Sequence, residues 1–236
     1  MEKLVALITS IGQDFMVVIP QSTPILLQGL RMTLFVSVVS ITIGLFLGLF
    51  VCLMKLSKFK VLKGIANFYI WVVRGTPMIV QAYFIFFGVN ELLTALFGFR
   101  LSIPEASIAT VSVNASAYMA EIYRGGIGAV PKGQSEAARS LGMSHGRTMA
   151  KVVLPQAIKI SIPAMVNQFI ISIKDTSILS VIGLAELTSR TKVYIGMSFK
   201  FFASWLYVGL FYLAIISILM IISRKVEKSI SYERKD

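Results

Sequence analysis

The chain reads as an all-α, polytopic membrane protein with about five transmembrane helices. Three observations predict this class. Of its 236 residues 56% are hydrophobic and only 14% charged, where a soluble domain carries about 25% charged residues. The mean hydropathy is +0.79. The apolar residues gather in long runs without charge, and lysines and arginines fill the gaps between them. An open sheet cannot satisfy its backbone in lipid, so these runs are expected as helices.

The first run, residues 32–54, has no charged residue over twenty-three positions, enough to cross a hydrocarbon core of about 30 Å. Residues 64–90 form a second run, interrupted only by Arg74. Residues 106–120 form a third, which Tyr123 extends past Glu121. Residues 160–173 form a shorter fourth, continued by apolar residues on both sides. Residues 201–223 form the fifth. The first twenty-four residues are weaker, broken by Gln13, Asp14, Pro20 and Pro24. They are expected as a helix at the membrane surface. Glu2 and the missing small-residue cleavage site argue against a secretory signal. The expected organisation is a surface helix over 1–24, a transmembrane domain over 25–225 and a tail over 226–236.

Orientation follows from the loop cations, which favour the cytoplasm. With five spans, fourteen lysines and arginines fall on one side: Lys55, Lys58, Lys60 and Lys63, then Arg124, Lys132, Arg139, Arg147 and Lys151, then Arg224, Lys225, Lys228, Arg234 and Lys235. The other side has Lys3, Arg31, Arg100, Arg190, Lys192 and Lys200. The N-terminus is therefore expected outside and the C-terminus inside. The same topology accounts for the net charge of +12 without nucleic acid as a partner. Cys52 is the only cysteine and His145 the only histidine, so neither a disulfide framework nor a metal-ligand spacing is present. No nucleophile–base pair marks an enzyme. A secondary carrier usually shows internal repeats, and none is visible.

The third loop, on the expected cytoplasmic side, stands out as polar sequence between apolar spans: GQSEAARSLGMSHGRTMAKVVLP over residues 133–155. Ser135 is a candidate N-cap, with Glu136 in the first turn, where negative charge suits the helix dipole. Ala137, Ala138, Leu141 and Met143 supply helix propensity and a small apolar face. Gly142 suits the left-handed residue that ends such a helix. Ser144 is placed to cap the next helix, which enters the membrane through Val152 and Leu154. Two small alanines would let a partner surface approach closely; the plainer alternative is an amphipathic loop.

The spacing Glu136-Ala137-Ala138, three residues, Gly142, nine residues, Val152-x-Leu154-Pro155 resembles the "EAA" loop of ABC-transporter permeases. The resemblance extends over about residues 29–223, through Gly29-Leu30-x-Met32-Thr33-Leu34, Arg74-Gly75-Thr76-Pro77, the run from Ala115 to Ile127, Pro131-Lys132-Gly133-Gln134, Leu154-Pro155-Gln156-Ala157 and Lys174-Asp175-Thr176-Ser177. Val152 departs conservatively from the more usual isoleucine. Together these are similar to the polar amino-acid branch, the His/Glu/Gln/Arg/opine permeases. The resemblance implies the type I importer fold and a polar L-amino acid as substrate. It also implies no cofactor in this chain, since ATP and magnesium are held by a partner ATP-binding subunit. That subunit would be coupled through Ser135, Glu136, Ala137, Ala138 and Gly142 in loop 131–155. The further partners implied are a second permease subunit, identical or sibling, and an extracytoplasmic substrate-binding protein. The localisation implied is the bacterial cytoplasmic (inner) membrane.

Polar residues within the spans are candidates for the path, because charges at bilayer depth usually face a cavity or the protein interior. Arg74 and Pro77 mark a gate element or a structural kink. Gln81 follows one turn later. Asn114 and Ser116 line a substrate path or serve as interhelical hydrogen-bond glue. Lys174 and Asp175 offer opposite charges to an amino acid, or snorkel as a pair to the outer interface. Residues 176–187 are expected as a short re-entrant or interfacial helix.

Overall fold

The computed structural model describes the backbone of residues 1–232, and all side chains up to residue 225 except that of Leu7. Ten α-helices follow one another: α1 Glu2–Leu56, α2 Lys60–Gly75, α3 Met78–Tyr83, α4 Asn90–Phe97, α5 Ile103–Ala129, α6 Lys132–Ser140, α7 His145–Thr148, α8 Leu154–Asp175, α9 Leu187–Ser198 and α10 Phe201–Tyr232. Two π-helical segments, Phe84–Val89 and Met149–Val153, join α3 to α4 and α7 to α8. A 3₁₀ segment, Thr176–Ile182, follows α8. There is no strand among the described residues.

Four stretches are long and apolar enough to cross a membrane: Glu2–Leu56, Met78–Phe97, His145–Ile182 and Phe201–Lys225. The other long helix, α5, has 27 residues and so spans about 40 Å. Its Ser107, Thr110, Ser112, Asn114 and Ser116 are buried. They meet protein rather than lipid, so α5 does not need the apolarity of its neighbours.

The chain divides into two compact units. The first takes Met1–Val39, Met78–Thr110 and Ser172–Leu219. In it, Val18 packs with Tyr194 and Ala203, and Leu26 with Leu187 and Val208. The residues that weakened the N-terminal pattern have partners here. Asp14 pairs with Lys200, Gln21 accepts from the Tyr194 hydroxyl at 3.1 Å, and Thr23 meets the Tyr207 hydroxyl at 2.8 Å. This explains a difference from the expected boundary at residue 24: α1 runs unbroken through Pro20 and Pro24. Each proline removes one helical hydrogen bond, while buried Val18 and Leu26 hold the helix on either side. In the same unit the Asn90 side chain staples the loop after α4. Its Oδ1 accepts the Leu101 amide at 2.7 Å, and its Nδ2 donates to the Leu101 carbonyl at 3.2 Å.

The second unit takes Ser40–Pro77, Val111–Ile171 and α10 from Met220. Its core joins Ile41 and Cys52 of α1, Ile70 of α2 and Ala115, Met119, Ala120 and Tyr123 of α5. The expected second span, 64–90, is not one helix. α2 ends at Gly75, Thr76 is extended at φ −118° and ψ 144°, and α3 begins after Pro77. The residue before a proline is pushed out of the α region, so the chain breaks here instead of kinking. The expected tail also differs: α10 stays helical to Tyr232, and residues 233–236 lie outside the described residues.

Candidate functional site

The polar loop over 131–155 is built by backbone capping. α6 starts one turn earlier than expected, at Lys132, with Pro131 in the N-cap position. Ser135 is therefore not the cap. It lies inside the helix, and its hydroxyl donates to the Lys132 carbonyl at 2.8 Å. Proline's fixed φ and missing N–H suit a helix start, which outweighs the N-cap preference of serine. The C-terminus is a Schellman motif. The Gly142 amide donates to the Arg139 carbonyl at 2.9 Å and the Met143 amide to the Ala138 carbonyl at 3.2 Å. Gly142 has φ +81°, the left-handed conformation the sequence pointed to.

This turn leaves Glu136, Ala137 and Gly142 exposed and buries Ala138. Leu141 is 84% exposed, and no contact in its own chain accounts for a leucine so displayed. Ser144 does take the next N-cap position, but through its carbonyl, which accepts the Thr148 amide at 2.9 Å. From α7 the chain widens into the π segment, where the Leu154 amide reaches back to the Met149 carbonyl. The wider turn precedes Pro155, whose ring would clash with an α-helical carbonyl four residues earlier. Val130, Val153 and Ala157 seat the loop. At Gly126 an added Cβ would meet the Ser161 Oγ at 2.0 Å and the Ala157 carbonyl oxygen at 2.7 Å, so only glycine allows α5 and α8 to approach this closely.

The polar face of α5 lies in the same unit. Ser116 and Asn114 are buried. The Tyr69 hydroxyl of α2 meets the Ser116 Oγ at 2.5 Å and donates to the Val113 carbonyl at 2.9 Å. The Ser116 hydroxyl thus ties α5 to α2. Farther along α5 is a charged hub that the sequence reading missed. Glu121 accepts from Lys55 at 2.7 Å and from both Nε and Nη2 of Arg124, at 3.0 and 2.9 Å. Arg74 approaches it at 4.0 Å and lies over the Tyr118 ring, 5.1 Å from its centroid. Arg74 therefore joins the helix break at Pro77 to α5. The available signal was an acid among uncompensated cations, Lys55 and Arg124 at the ends of two predicted spans and Arg74 inside a third.

Gln81, Lys174 and Asp175 belong to the first unit, so the five path candidates divide between the two units. α3, which carries Gln81, packs on the 3₁₀ segment that follows Asp175. Asp175 is half-buried and Lys174 exposed, at the last turn of α8 as expected. The expected helix over 176–187 is a 3₁₀ turn, and the next helix, α9, was not anticipated. Its N-cap is Glu186, which is fully buried. The Glu186 carboxylate accepts the Thr188 and Ser189 amides at 2.8 and 2.6 Å and the Tyr212 hydroxyl at 3.1 Å. Glutamate is an unusual N-cap, which hid this helix start. Among the described residues, no group of three or more His, Cys, Asp or Glu side chains is placed to hold a metal.

Residues 40–232 match the family of binding-protein-dependent transport system inner membrane components. The chain belongs to this family. It is 39% identical to an arginine transport system permease protein of Bacillus subtilis over 217 residues, covering 92% of this chain and 97% of that protein. It is 38% identical to a glutamine transport system permease protein of Escherichia coli, covering 87% and 92%. Among solved structures, a chain of an amino acid ABC transporter with histidines superposes with a TM-score of 0.83 at 38% identity, covering 90% of this chain and 97% of that one. A chain of a methionine ABC transporter superposes with a TM-score of 0.75 at 18% identity, a likeness of fold alone. The resemblance read from the loop and helix motifs is borne out, and the chain is a multi-pass permease of the ABC importer fold.

Proposed function

We propose that this chain is the permease subunit of an ATP-driven importer of a polar L-amino acid in a bacterial inner membrane. It forms the translocation path with a second permease subunit and receives substrate from an extracytoplasmic binding protein. A separate subunit binds ATP with magnesium and hydrolyses the ATP. The observation that carries the coupling step is α6: a short helix capped by its own backbone, displaying Ala137 and the 84% exposed Leu141. It is the shape of a knob for a partner's groove. α7 and the π segment continue without a break into α8, so a push on α6 passes along the backbone into a membrane helix. The amino-acid transport names and titles of its relatives support the substrate class. Gln81, Asn114, Ser116, Lys174 and Asp175 are proposed to contribute polar groups to the path.

The test is to reconstitute the chain with its ATPase, second permease and binding protein, then measure ATP hydrolysis with each L-amino acid. Stimulation by one polar amino acid, or by a small set, is expected. Stimulation by none sinks the reading. In the same membranes with Cys52→Ala, an impermeant thiol reagent should reach Ser102→Cys from outside and Ser144→Cys only after disruption. The reverse pattern overturns the proposed N-out orientation.

A further inference from the structure

α6 and α7 line an open cavity of about 350 Å³, and none of the five residues proposed for the substrate path is on its wall. Its wall includes Lys132, Ser135 and Arg139 of α6 and His145 and Thr148 of α7, over an apolar floor. No carboxylate lines it. Lysine and arginine only donate, and imidazole donates in either protonation state. Ser135 has given its proton to the Lys132 carbonyl. Thr148 is 2% exposed and its hydroxyl oxygen is sealed from solvent, so the cations carry the wall.

Lys132, Ser135 and Arg139 recur at three and four residues and share one face of α6. The exposed Gly133, Ala137, Ser140 and Leu141 point elsewhere around the helix, and the wall shares only Ser135 with the residues proposed for coupling. The space exceeds the roughly 30 Å³ of one water and holds a tetrahedral oxyanion with its hydration.

We propose that this cavity is an anion site for a phosphate group, whether the phosphodiester of an anionic phospholipid or free inorganic phosphate. Lys132 and Arg139 supply the charge, and His145 completes the donor set. An occupied site braces α6 against α7. The proposal does not depend on which substrate the permease carries.

Two arms test it on the complex purified with its ATPase. Native mass spectrometry counts retained phosphatidylglycerol against zwitterionic phosphatidylethanolamine, and thermal unfolding is followed while inorganic phosphate is titrated. The affinity for the responding anion should fall about fivefold for each cation removed in Lys132→Gln and Arg139→Gln. His145→Gln should cost less, and Lys58→Gln, at an exposed lysine outside the cavity, nothing. A response to phosphatidylglycerol alone assigns a lipid, and a response to phosphate alone assigns the free ion. If neither binds, or if the Lys132→Gln/Arg139→Gln double variant binds as wild type does, the site is refuted. Should the double variant fail to assemble, the single variants Lys132→Gln and Arg139→Gln decide by the same readouts. Substrate-stimulated ATP hydrolysis by the wild-type complex keeps this outcome separate from failure of the transport reading.

Discussion

Two connectors between membrane helices, residues 131–153 and residues 176–198, solve the same problem in opposite ways. Each must turn the chain and start a new helix. The first uses mainly backbone: proline at the start, a Schellman turn at Gly142 and a carbonyl cap at Ser144. Its side chains stay outside, including Leu141. The second is held by side chains buried in its own unit. Glu186 caps α9 from a fully buried position, and the Thr33 Oγ1 accepts the Leu187 amide at 3.3 Å. A backbone-capped connector leaves its surface free for another protein. A connector anchored by side chains spends them on its own fold and serves as scaffold.

The contrast can be broken most directly at Glu186. Glu186→Ala removes the acceptor for two amides and a hydroxyl, and should cost about 2–4 kcal/mol, with Glu186→Gln costing less. The measurement is the unfolding midpoint of the purified protein, and an unchanged midpoint would show that the second connector is not anchored there. A smaller stability effect, with a larger functional one, is expected at the first connector. Gly142→Val forces a β-branched residue into positive φ, at about 1–2 kcal/mol. It should insert normally but lose most substrate-stimulated ATP hydrolysis. Leu141→Ser should reproduce that loss while moving stability by no more than about 0.5 kcal/mol. Full stimulation in both variants would mean that α6 is not the docking knob.

The weakest effect sharpens the account of capping. Ser135 is interior to α6 and only back-bonds to Lys132. Ser135→Ala should therefore change stability by less than about 0.5 kcal/mol, where loss of a true N-cap costs about 1 kcal/mol. A loss of the larger size would restore Ser135 as the cap.

Much of the molecule was legible in the chain because the bilayer imposes simple rules. Charge-free runs of sufficient length, lysines and arginines between them, Gly142 at a helix end and the Glu136-Ala137-Ala138 spacing are all local patterns. They located the long helices, the polar loop between α5 and α8, and the family. What local pattern could not supply was partner identity. Asp14 and Gln21 read as interruptions until Lys200 and Tyr194 stood beside them. Glu121 read as a lone charge until Lys55 and Arg124 closed on it. Pro20 and Pro24 read as breaks until packing on both sides carried α1 through them. α9 stayed hidden because its cap is a glutamate that only burial beside Tyr212 makes effective. Helix length and placement between charged loops follow from solvation of one segment at a time, which composition records. Whether a buried polar group ends a helix, ties two helices or caps a third depends on atoms far away in the chain, and only the tertiary structure decided it.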